Sequence, residues 1–358
     1  MTYSFLDLEK IAEAKPANLD HVVEAVRTFQ QGMTGGFAAR ARLQEAFTTS
    51  DFPKLLGRGL EVELLDRFQQ IEPDWKGIAD EITVSDFKPK KLVDLFGIDD
   101  FEDVAQGEEY KSKPLAETEY EVQVGKTGLT VLHSWELNVN QDWDAIHHLP
   151  ERLANAARRT EDKKVFGALL NPKGGPSESL FTGASAATKA PLTAENLQAA
   201  LESLATREAY DGELADVSKM VLVVHPALQF QANRIVNAQN IEVTDGKTKT
   251  LEPNPFRGMV TVVAPRALAK YDKGKNAATT WFLLPAPGST NPALAKAKLQ
   301  GHENPDIRVK NDQGLAVGGG SINPGEGSFG DDTIAYRGRH VTGAAALMPF
   351  AVYASTGV

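Results

Sequence analysis

The stretch 149–170, LPERLANAARRTEDKKVFGALL, most constrains what this chain can fold into. It is dense in alanine, leucine, arginine, lysine and glutamate, which favour helix, and its apolar residues recur at spacings of three and four. We predict one long helix, capped by Asp142 and kinked or broken by Pro150 near residues 146–150. The predicted apolar stripe changes side along the helix, from Ile146, Leu149, Leu153, Ala156, Ala157 and Thr160 to Val165, Phe166 and Leu169.

Opposite charges are concentrated in two parts of the chain. The segment 94–121 contains ten acidic residues and only two lysines, Lys111 and Lys113. A charged helix face is usually only solvated, but a matching acidic segment in the same chain indicates complementary surfaces, on different subunits. The basic side chains of the predicted helix are Arg152, Arg158, Arg159, Lys163 and Lys164.

Alternation of apolar and polar residues predicts strands before the helix. The stretch TEYEVQV (118–124) places tyrosine and valine on one face and glutamate and glutamine on the other. GKTG (Gly125–Gly128) is predicted as a hairpin turn into a second strand, LTVLHSWE, and ITVSDFKPKKLVDLF as an earlier strand partner. A two-stranded acidic projection is marginally stable alone in water, so we expect it to rest against something else.

The remaining segments predict an α+β chain. Residues 1–80 are predicted to form short helices, one of them with Asp51 as its cap and Pro53 in its first turn. The loop 171–191, rich in glycine, proline, serine and alanine, is the predicted domain boundary. Helices and strands are mixed beyond it, beginning with a helix capped by Thr193.

Composition limits the classes of function. A chain of 358 residues with 42% hydrophobic content can build a sizeable core in one large domain or two. The formal net charge of −10 disfavours a general nucleic-acid binder, although local basic patches are compatible with it. The absence of cysteine excludes disulfides, thiolate zinc sites and a cysteine nucleophile, and it fits assembly in a reducing compartment.

Neither end of the sequence predicts targeting to a membrane. Asp7 and Glu9 stand where a secretion signal needs a basic start and an apolar core. The uncharged stretch 341–358 could be a tail anchor, but it consists mostly of small residues and contains Pro349. Because a spanning helix needs about 20 strongly apolar residues, buried strands are the preferred interpretation.

Motifs for catalysis are almost absent. In DAIHHLPE, His147 and Glu151 are four residues apart, as are Asp144 and His148, so either pair could hold a metal ion on one helix face. The helical zinc motif H-E-x-x-H and the nucleophile elbow G-x-S-x-G do not occur. His225, at the end of a predicted strand, is interpreted as a capping or packing residue. A metal-dependent α+β enzyme using His147, His148 and Glu151 stays open as an alternative.

Five stretches, in this order, resemble the major capsid protein of tailed bacteriophages with the Hong Kong 97-type fold. No single stretch is diagnostic; the resemblance lies in their order and spacing over about residues 48–358. They are TTSDFPKLL with PDWKGIADEITVSDFK, EYEVQVGKTGLTVLHSWE, WDAIHHLPERLANAARRTEDKKVFGALL, ADVSKMVLVVHPALQFQANRIV with NPFRGMVTVVAP, and LQGHENPDIRVK with GSFGDDTIAYRGRHVTGAAALMPFAVYASTG.

The resemblance implies a division of the chain into five segments and a structural role. The segments are an N-terminal helical arm (1–81), an extended β-hairpin loop (82–136), a spine helix with the peripheral domain (137–190), an axial domain (191–305) and return strands (306–358). The implied subunit is not an enzyme, needs no cofactor, and builds hexamers and pentamers of an icosahedral head around double-stranded DNA. An encapsulin-like protein nanocompartment is the alternative within the same fold.

The resemblance also implies partners and contacts. The partners would be copies of the chain itself, scaffolding, portal and decoration proteins, and packaged DNA bound without sequence specificity, but no membrane. The protein would be located in the virion after assembly in the bacterial host cytoplasm. The predicted contacts between subunits are Glu108, Glu109, Lys111, Lys113, Glu119, Glu121, Arg152, Arg158, Arg159 and Lys163.

Overall fold

The computed structural model describes most of the chain and divides it into two units that alternate along the sequence. The described residues are 19–34, 37–47, 52–96, 116–139, 148–208, 214–245, 248–289, 291–320, 322 and 326–358. Unit 1 comprises Met1–Glu72, Lys126–Thr160 and Gly301–Val341, and unit 2 comprises Pro73–Gly125, Glu161–Gln300 and Thr342–Val358.

Helices and strands occur in both units, which confirms the predicted α+β class. The described helices are α1 (Leu19–Thr34), α2 (Phe37–Phe47), α3 (Phe52–Gln70), α4 (Trp135–Val139), α5 (Leu149–Leu169), α6 (Ala194–Ala205), α7 (Gln229–Asn237) and α8 (Arg266–Tyr271). The described strands are β1 (Asp80–Val84), β2 (Lys90–Phe96), β3 (Ala116–Val122), β4 (Val124–Ser134), β5 (Met220–Val224), β6 (Asn240–Asp245), β7 (Thr248–Pro253), β8 (Val260–Val263), β9 (Trp281–Pro285), β10 (Leu294–Leu299), β11 (Asp306–Val309), β12 (Thr333–Ala346) and β13 (Tyr353–Ser355).

The core of unit 1 is built largely from the N-terminal helices. Val22 and Phe29 of α1 and Leu64 of α3 are buried in one cluster with Leu153 of α5 and Tyr336 of β12. Two glycines permit close contact between these helices. A Cβ on Gly32 would lie 2.4 Å from Leu43 of α2, and one on Gly59 would lie 2.5 Å from Val26. These helices are therefore part of a packed core and not only an arm.

The described part of helix α5 begins at Leu149, so Pro150 lies in its first turn, where the missing N–H costs no helical hydrogen bond. The kink or break predicted near residues 146–150 stays a prediction, because residues 140–147 lie outside the described residues. The predicted cap, Asp142, lies outside the described residues. The predicted change of apolar side is confirmed: Leu149 and Leu153 are buried in the core of unit 1, whereas Phe166 and Leu169 are buried in the core of unit 2.

Unit 2 contains a four-stranded sheet in the order β13-β9-β5-β8. β5 runs parallel to β8 and antiparallel to β9. Every residue of β5 and β9 is buried, which explains why both strands are continuous apolar runs instead of alternating ones. The predicted cap of α6 is confirmed, because Thr193 Oγ1 accepts a hydrogen bond from Asn196 N at 3.2 Å.

The other large sheet has the order β1-β10-β12-β11, and β4 also pairs with β12. In unit 2, β10 runs parallel to β1 and antiparallel to residues 342–346 of β12. In unit 1, residues 336–339 of β12 pair with β11. The C-terminal stretch forms strands, as predicted, and within the described ranges no helix combines the length and apolarity that a membrane span requires.

Two further sheets consist of a single pair of strands, β2–β3 and β6–β7. The β2–β3 ribbon runs antiparallel from the pair Lys90 with Val122 to the pair Phe96 with Ala116. The predicted partner for the TEYEVQV strand is thereby confirmed. Among the described residues, no third strand pairs with either ribbon.

Candidate assembly interface

The basic side of α5 is mostly at the surface. Arg152, Arg159 and Lys163 are exposed, and their spacing of seven and four residues places them on one side of the helix. Lys164 is exposed as well. Leu153 and Ala157 are buried on an adjacent side of the helix, so α5 has one apolar and one basic side.

Arg158 is engaged inside its own subunit. Its Nε and Nη2 atoms donate hydrogen bonds to the carbonyl oxygen of Phe68, at 2.9 and 2.6 Å, and its guanidinium carbon lies 3.6 Å from the centroid of the Phe68 ring. This carbonyl is in the last turn of α3, which lacks helical donors and attracts a cation. Arg158 therefore joins α5 to α3 within the subunit, and its expected contact with a neighbour stays a prediction.

The residues of the extended loop that were predicted to contact a neighbouring subunit fall into two groups. Glu108, Glu109, Lys111 and Lys113 lie outside the described residues. Positions 117, 119 and 121 of β3 are all glutamate and share one face of the strand. Their cross-strand partners in the register of β2 are Leu95, Val93 and Lys91. Position 121 of the acidic row is therefore paired with a lysine.

The GKTG segment is not the predicted hairpin turn. Gly125–Gly128 lies inside β4, where Thr127 Oγ1 donates to the carbonyl oxygen of His340 at 2.8 Å. A Cβ on Gly128 would lie 2.5 Å from the carbonyl oxygen of Gly338, so glycine is required here for close approach of two backbones. The prediction failed because a G-x-x-G pattern serves a close strand contact as well as a turn.

A buried group of charges in unit 2 was missed by sequence reasoning. Glu161 and Lys296 are 0% and 3% exposed, and Lys296 Nζ lies 3.2 Å from Glu161 Oε1 and 2.8 Å from Glu81 Oε1. Lys298 Nζ lies 2.9 Å from Glu81 Oε2. Pairing of this kind is what a fully buried carboxylate needs. The sequence TEDKK (160–164) is typical of a solvent-exposed helix segment, and nothing in the neighbouring sequence indicates that Glu161 is buried.

The part of α5 near Glu161 also contacts the one-turn helix Asp74–Gly77. Asp162 Oδ1 accepts a hydrogen bond from Trp75 N at 3.1 Å, and Asp74 Oδ2 accepts one from Ala267 N at 2.7 Å. Burial, with smaller contributions from the charges of Asp74 and Glu161, raises the pKa of Asp162 to about 6. The acidic residues of α5 in unit 2 therefore anchor this turn and are not available to a partner.

The structure gives little support to the possible metal site. His148 Nδ1 lies 3.8 Å from Glu151 Oε2, with both side chains about half exposed, and Asp144 and His147 lie outside the described residues. Nowhere in the described part of the chain do three or more His, Asp or Glu side chains converge as metal ligands. His225 has the capping role expected for it, because its Nδ1 accepts a hydrogen bond from Ala227 N at 3.1 Å.

In the described part of the chain, a two-stranded ribbon that pairs with no third strand and an exposed basic helix face are features typical of proteins that assemble through their surfaces. The chain belongs to the phage capsid protein family, whose model matches residues 117–355. As a capsid protein it has a structural role in the shell of the virion. No curated protein sequence matches the chain.

Several solved structures are similar to this chain. One from Gordonia phage Cozz has 13% identity and a TM-score of 0.45, and the match covers 78% of this chain and 84% of that one. The mature capsid of bacteriophage PhiM1 has 9% identity and a TM-score of 0.46, with coverage of 80% and 87%. The SrpI encapsulin of Synechococcus elongatus PCC 7942 has 11% identity and a TM-score of 0.47, with coverage of 81% and 89%.

Proposed function

We propose that this chain is the major capsid protein of a tailed bacteriophage with the Hong Kong 97-type architecture. Copies of it assemble in the cytoplasm of the bacterial host into hexamers and pentamers, and these close into an icosahedral head that encloses double-stranded DNA. Scaffolding, portal and decoration proteins are the further partners. Membership of the phage capsid protein family supports the proposal.

The observation that carries the proposal is the β2–β3 ribbon. Two strands of seven residues pair with one another and, in the part of the chain that is described, with no third strand. A lone two-stranded ribbon is at best marginally stable in water. A neighbouring subunit supplies the missing support, which makes the ribbon a device for assembly.

Complementary charge determines where the ribbon binds on the neighbouring subunit. The row of glutamates at positions 117, 119 and 121 lies against the basic side of α5 on the next subunit, which exposes Arg152, Arg159 and Lys163. Complementary charge selects partners and fixes register more than it adds affinity. Because exposed charges are screened by salt, assembly is expected to slow as ionic strength rises.

Particle formation tests the proposal directly. The chain is produced in bacteria, purified, and examined by negative-stain electron microscopy and by light scattering. Closed shells of megadalton mass are the expected result, and a stable monomer or dimer at all concentrations would overturn it. Nuclease treatment and analysis of the contents then separate a phage head, which holds DNA in infected cells, from a nanocompartment, which holds a protein cargo.

A shortened ribbon tests its role without disturbing the sheets. Lys91 and Glu121 face each other across the ribbon, so Leu92–Tyr120 can be replaced by Asn-Gly as a two-residue hairpin turn. Glycines 125–128 must be kept because they belong to β4. The shortened subunit is expected to melt at a temperature close to that of the full chain but to form no closed shells. Normal shells from this variant would remove the ribbon from the mechanism.

A further inference from the structure

A glycine-rich segment of unit 1 presents apolar side chains to solvent. In the segment 310–332, Leu315 is 79% exposed, Phe329 is 86% exposed and Val317 is fully exposed. Single exposed apolar residues are common on protein surfaces, but three in one short segment form a patch typical of an interaction site. None of them belongs to the ribbon or to the basic side of α5.

The backbone around Phe329 is held in place although its ring is exposed. Phe329 N donates to the carbonyl oxygen of Asp312 at 3.1 Å, and Ser328 N donates to that of Thr333 at 2.9 Å. Asp332 has a φ of +51°, and its N–H donates to the carbonyl oxygen of Ser328 at 3.2 Å. The turn therefore fixes the backbone from which the ring projects, so binding of the ring costs little backbone entropy.

A pocket in the same unit has the size and polarity for one aromatic ring. It is half open to solvent, with a cavity volume of about 120 Å³. An apolar cavity of about 150 Å³ in another protein binds benzene, which sets the scale for a phenyl side chain. The apolar residues that line it are Leu64, Leu129, Leu153, Ala156, Ala157 and Gly338.

Charge around the ring and around the pocket is complementary. Between residues 310 and 332 the chain carries four carboxylates and one lysine, and that lysine pairs with Asp312. The charged residues in the pocket lining, Asp306 and Arg339, pair with each other. On α5, Arg152 and Arg159 lie four residues before and three residues after the lining residue Ala156, and both are exposed, which places two cations beside the pocket on one side. The acidic residues around the ring thus complement the basic side of α5 next to the pocket.

We propose that Phe329 of one subunit inserts into the pocket between α5 and β12 of a neighbouring subunit. The inference rests on the proposed function, because it needs a second copy of the chain. Ring and pocket are different surfaces of one subunit, so the contact is heterologous, and repeated around an axis it closes a ring of subunits. The aromatic side chain provides the anchor, and the surrounding charges set its orientation.

Cross-linking between two kinds of subunit tests the contact, and the absence of cysteine from the natural chain makes it unambiguous. Subunits with G330C, which keep Phe329, and subunits with A156C are purified separately, mixed, assembled and treated with a short thiol-specific cross-linker; a Cβ on Gly330 meets nothing within 4 Å. Covalent dimers that need both variants are expected on a non-reducing gel. The control replaces G330C by F230C, since Phe230 is 85% exposed in unit 2, and it should give no dimers with A156C.

The outcomes separate this inference from the proposed function. Closed shells without dimers would overturn the inference and leave the capsid role intact. Dimers formed by G330C subunits alone would also overturn it, because the two copies of Phe329 would then lie near each other at a symmetry axis. Failure of the natural chain to form shells under any condition would overturn the proposed function itself.

Substitution gives a second, independent measurement. F329A is expected to reduce the yield of closed shells by about tenfold or more, because loss of a central aromatic anchor typically weakens a contact by at least that factor. F329L should restore part of the yield and F230A should leave it unchanged. Equal yields from F329A and the natural chain would contradict the inference. If F329A fails to fold, the cross-linking experiment still decides.

Discussion

The indole N–H of Trp75 donates a hydrogen bond to Oε2 of Glu161 at 3.1 Å, and the Glu161 side chain is fully buried. The other carboxylate oxygen of Glu161 is paired with Lys296, whose ammonium group lies 5.1 Å from the centre of the Trp75 ring. Burial of a carboxylate is costly unless both oxygens have partners. Stability of unit 2 therefore depends on this three-residue arrangement.

We predict that K296M lowers the free energy of unfolding by about 3 kcal/mol or more, because it leaves a buried carboxylate without its counter-charge. The double variant E161Q/K296M should recover part of the loss, since it removes the charge as well. Urea unfolding of unassembled subunits measures both.

The matched control is K298M on the same strand. Lys298 also pairs with Glu81, but both side chains are partly exposed, so the loss should be within about 1 kcal/mol. Equal effects of K296M and K298M would contradict the importance of the buried pair.

A second prediction concerns pH. Since burial raises the pKa of Asp162 from 3.8 to about 6, the folded state binds more protons than the unfolded state between those values. The free energy of unfolding should therefore fall as the pH rises from about 4 to about 7. D162N, which can still accept the hydrogen bond from Trp75 N, should remove about 2 kcal/mol of this fall.

The difference between the natural chain and D162N, measured by urea unfolding over this pH range, isolates the effect. Burial also raises the pKa of Glu63 to about 7, but that contribution is present in both proteins and cancels. Parallel profiles for D162N and the natural chain would count against the assignment.

Gly343 provides a steric prediction. A Cβ at this position would lie 2.0 Å from the carbonyl oxygen of Gln123, closer than any real contact. G343A should therefore abolish soluble expression or lower the unfolding free energy by about 2 kcal/mol or more. G167A in α5, where a Cβ meets nothing within 4 Å, should instead stabilise by up to about 1 kcal/mol. Thermal melts compare the two, and a tolerated G343A would show that the strands can separate locally.

Charge reversal tests the proposed docking of the ribbon. E119K with E121K should impair shell formation more than folding, most strongly at low salt. E119K alone is the cleaner variant, because Glu121 faces Lys91 and its reversal also places two lysines opposite each other within the ribbon. Adding R152E and K163E should restore assembly, as followed by light scattering. Normal shells from E119K/E121K at low salt would refute docking by charge.

Arg158 and Arg152 should behave differently although both are basic residues of α5. R158A should lower the unfolding free energy by about 1–3 kcal/mol, because it removes two hydrogen bonds to Phe68 and the stacking on its ring. R152A, at an exposed position, should change stability by less than about 0.5 kcal/mol and reduce assembly. The opposite pattern, measured by urea unfolding and light scattering, would reverse these roles.

Local patterns predicted much of the fold because their physical causes are local. Alternation from Tyr120 to Val124 marks one buried face of a strand, and Val122 and Val124 are indeed buried. The helix capped by Thr193 begins where a side-chain oxygen can accept the first free N–H. The basic face of α5 could be read in the same way from spacing alone.

Features that depend on distant partners could not be predicted in this way. Glu161 is buried because Trp75 and Lys296, far away in sequence, bring their donors to it. Gly128 lies in a strand and not in a turn because of the Gly338 backbone, which follows more than two hundred residues later. The apolar pocket and the exposed Phe329 likewise arise only from tertiary packing.

The solitary β2–β3 ribbon has a consequence for handling the free subunit. In the described part of the chain no third strand pairs with its outer edges, and a strand edge without a neighbour can pair with an extended peptide, as happens when fibrils grow. Newly synthesised subunits can therefore either assemble into shells or aggregate through their strand edges. Low protein concentration at low salt favours assembly. Storage at high protein concentration without nucleated shell growth favours aggregation.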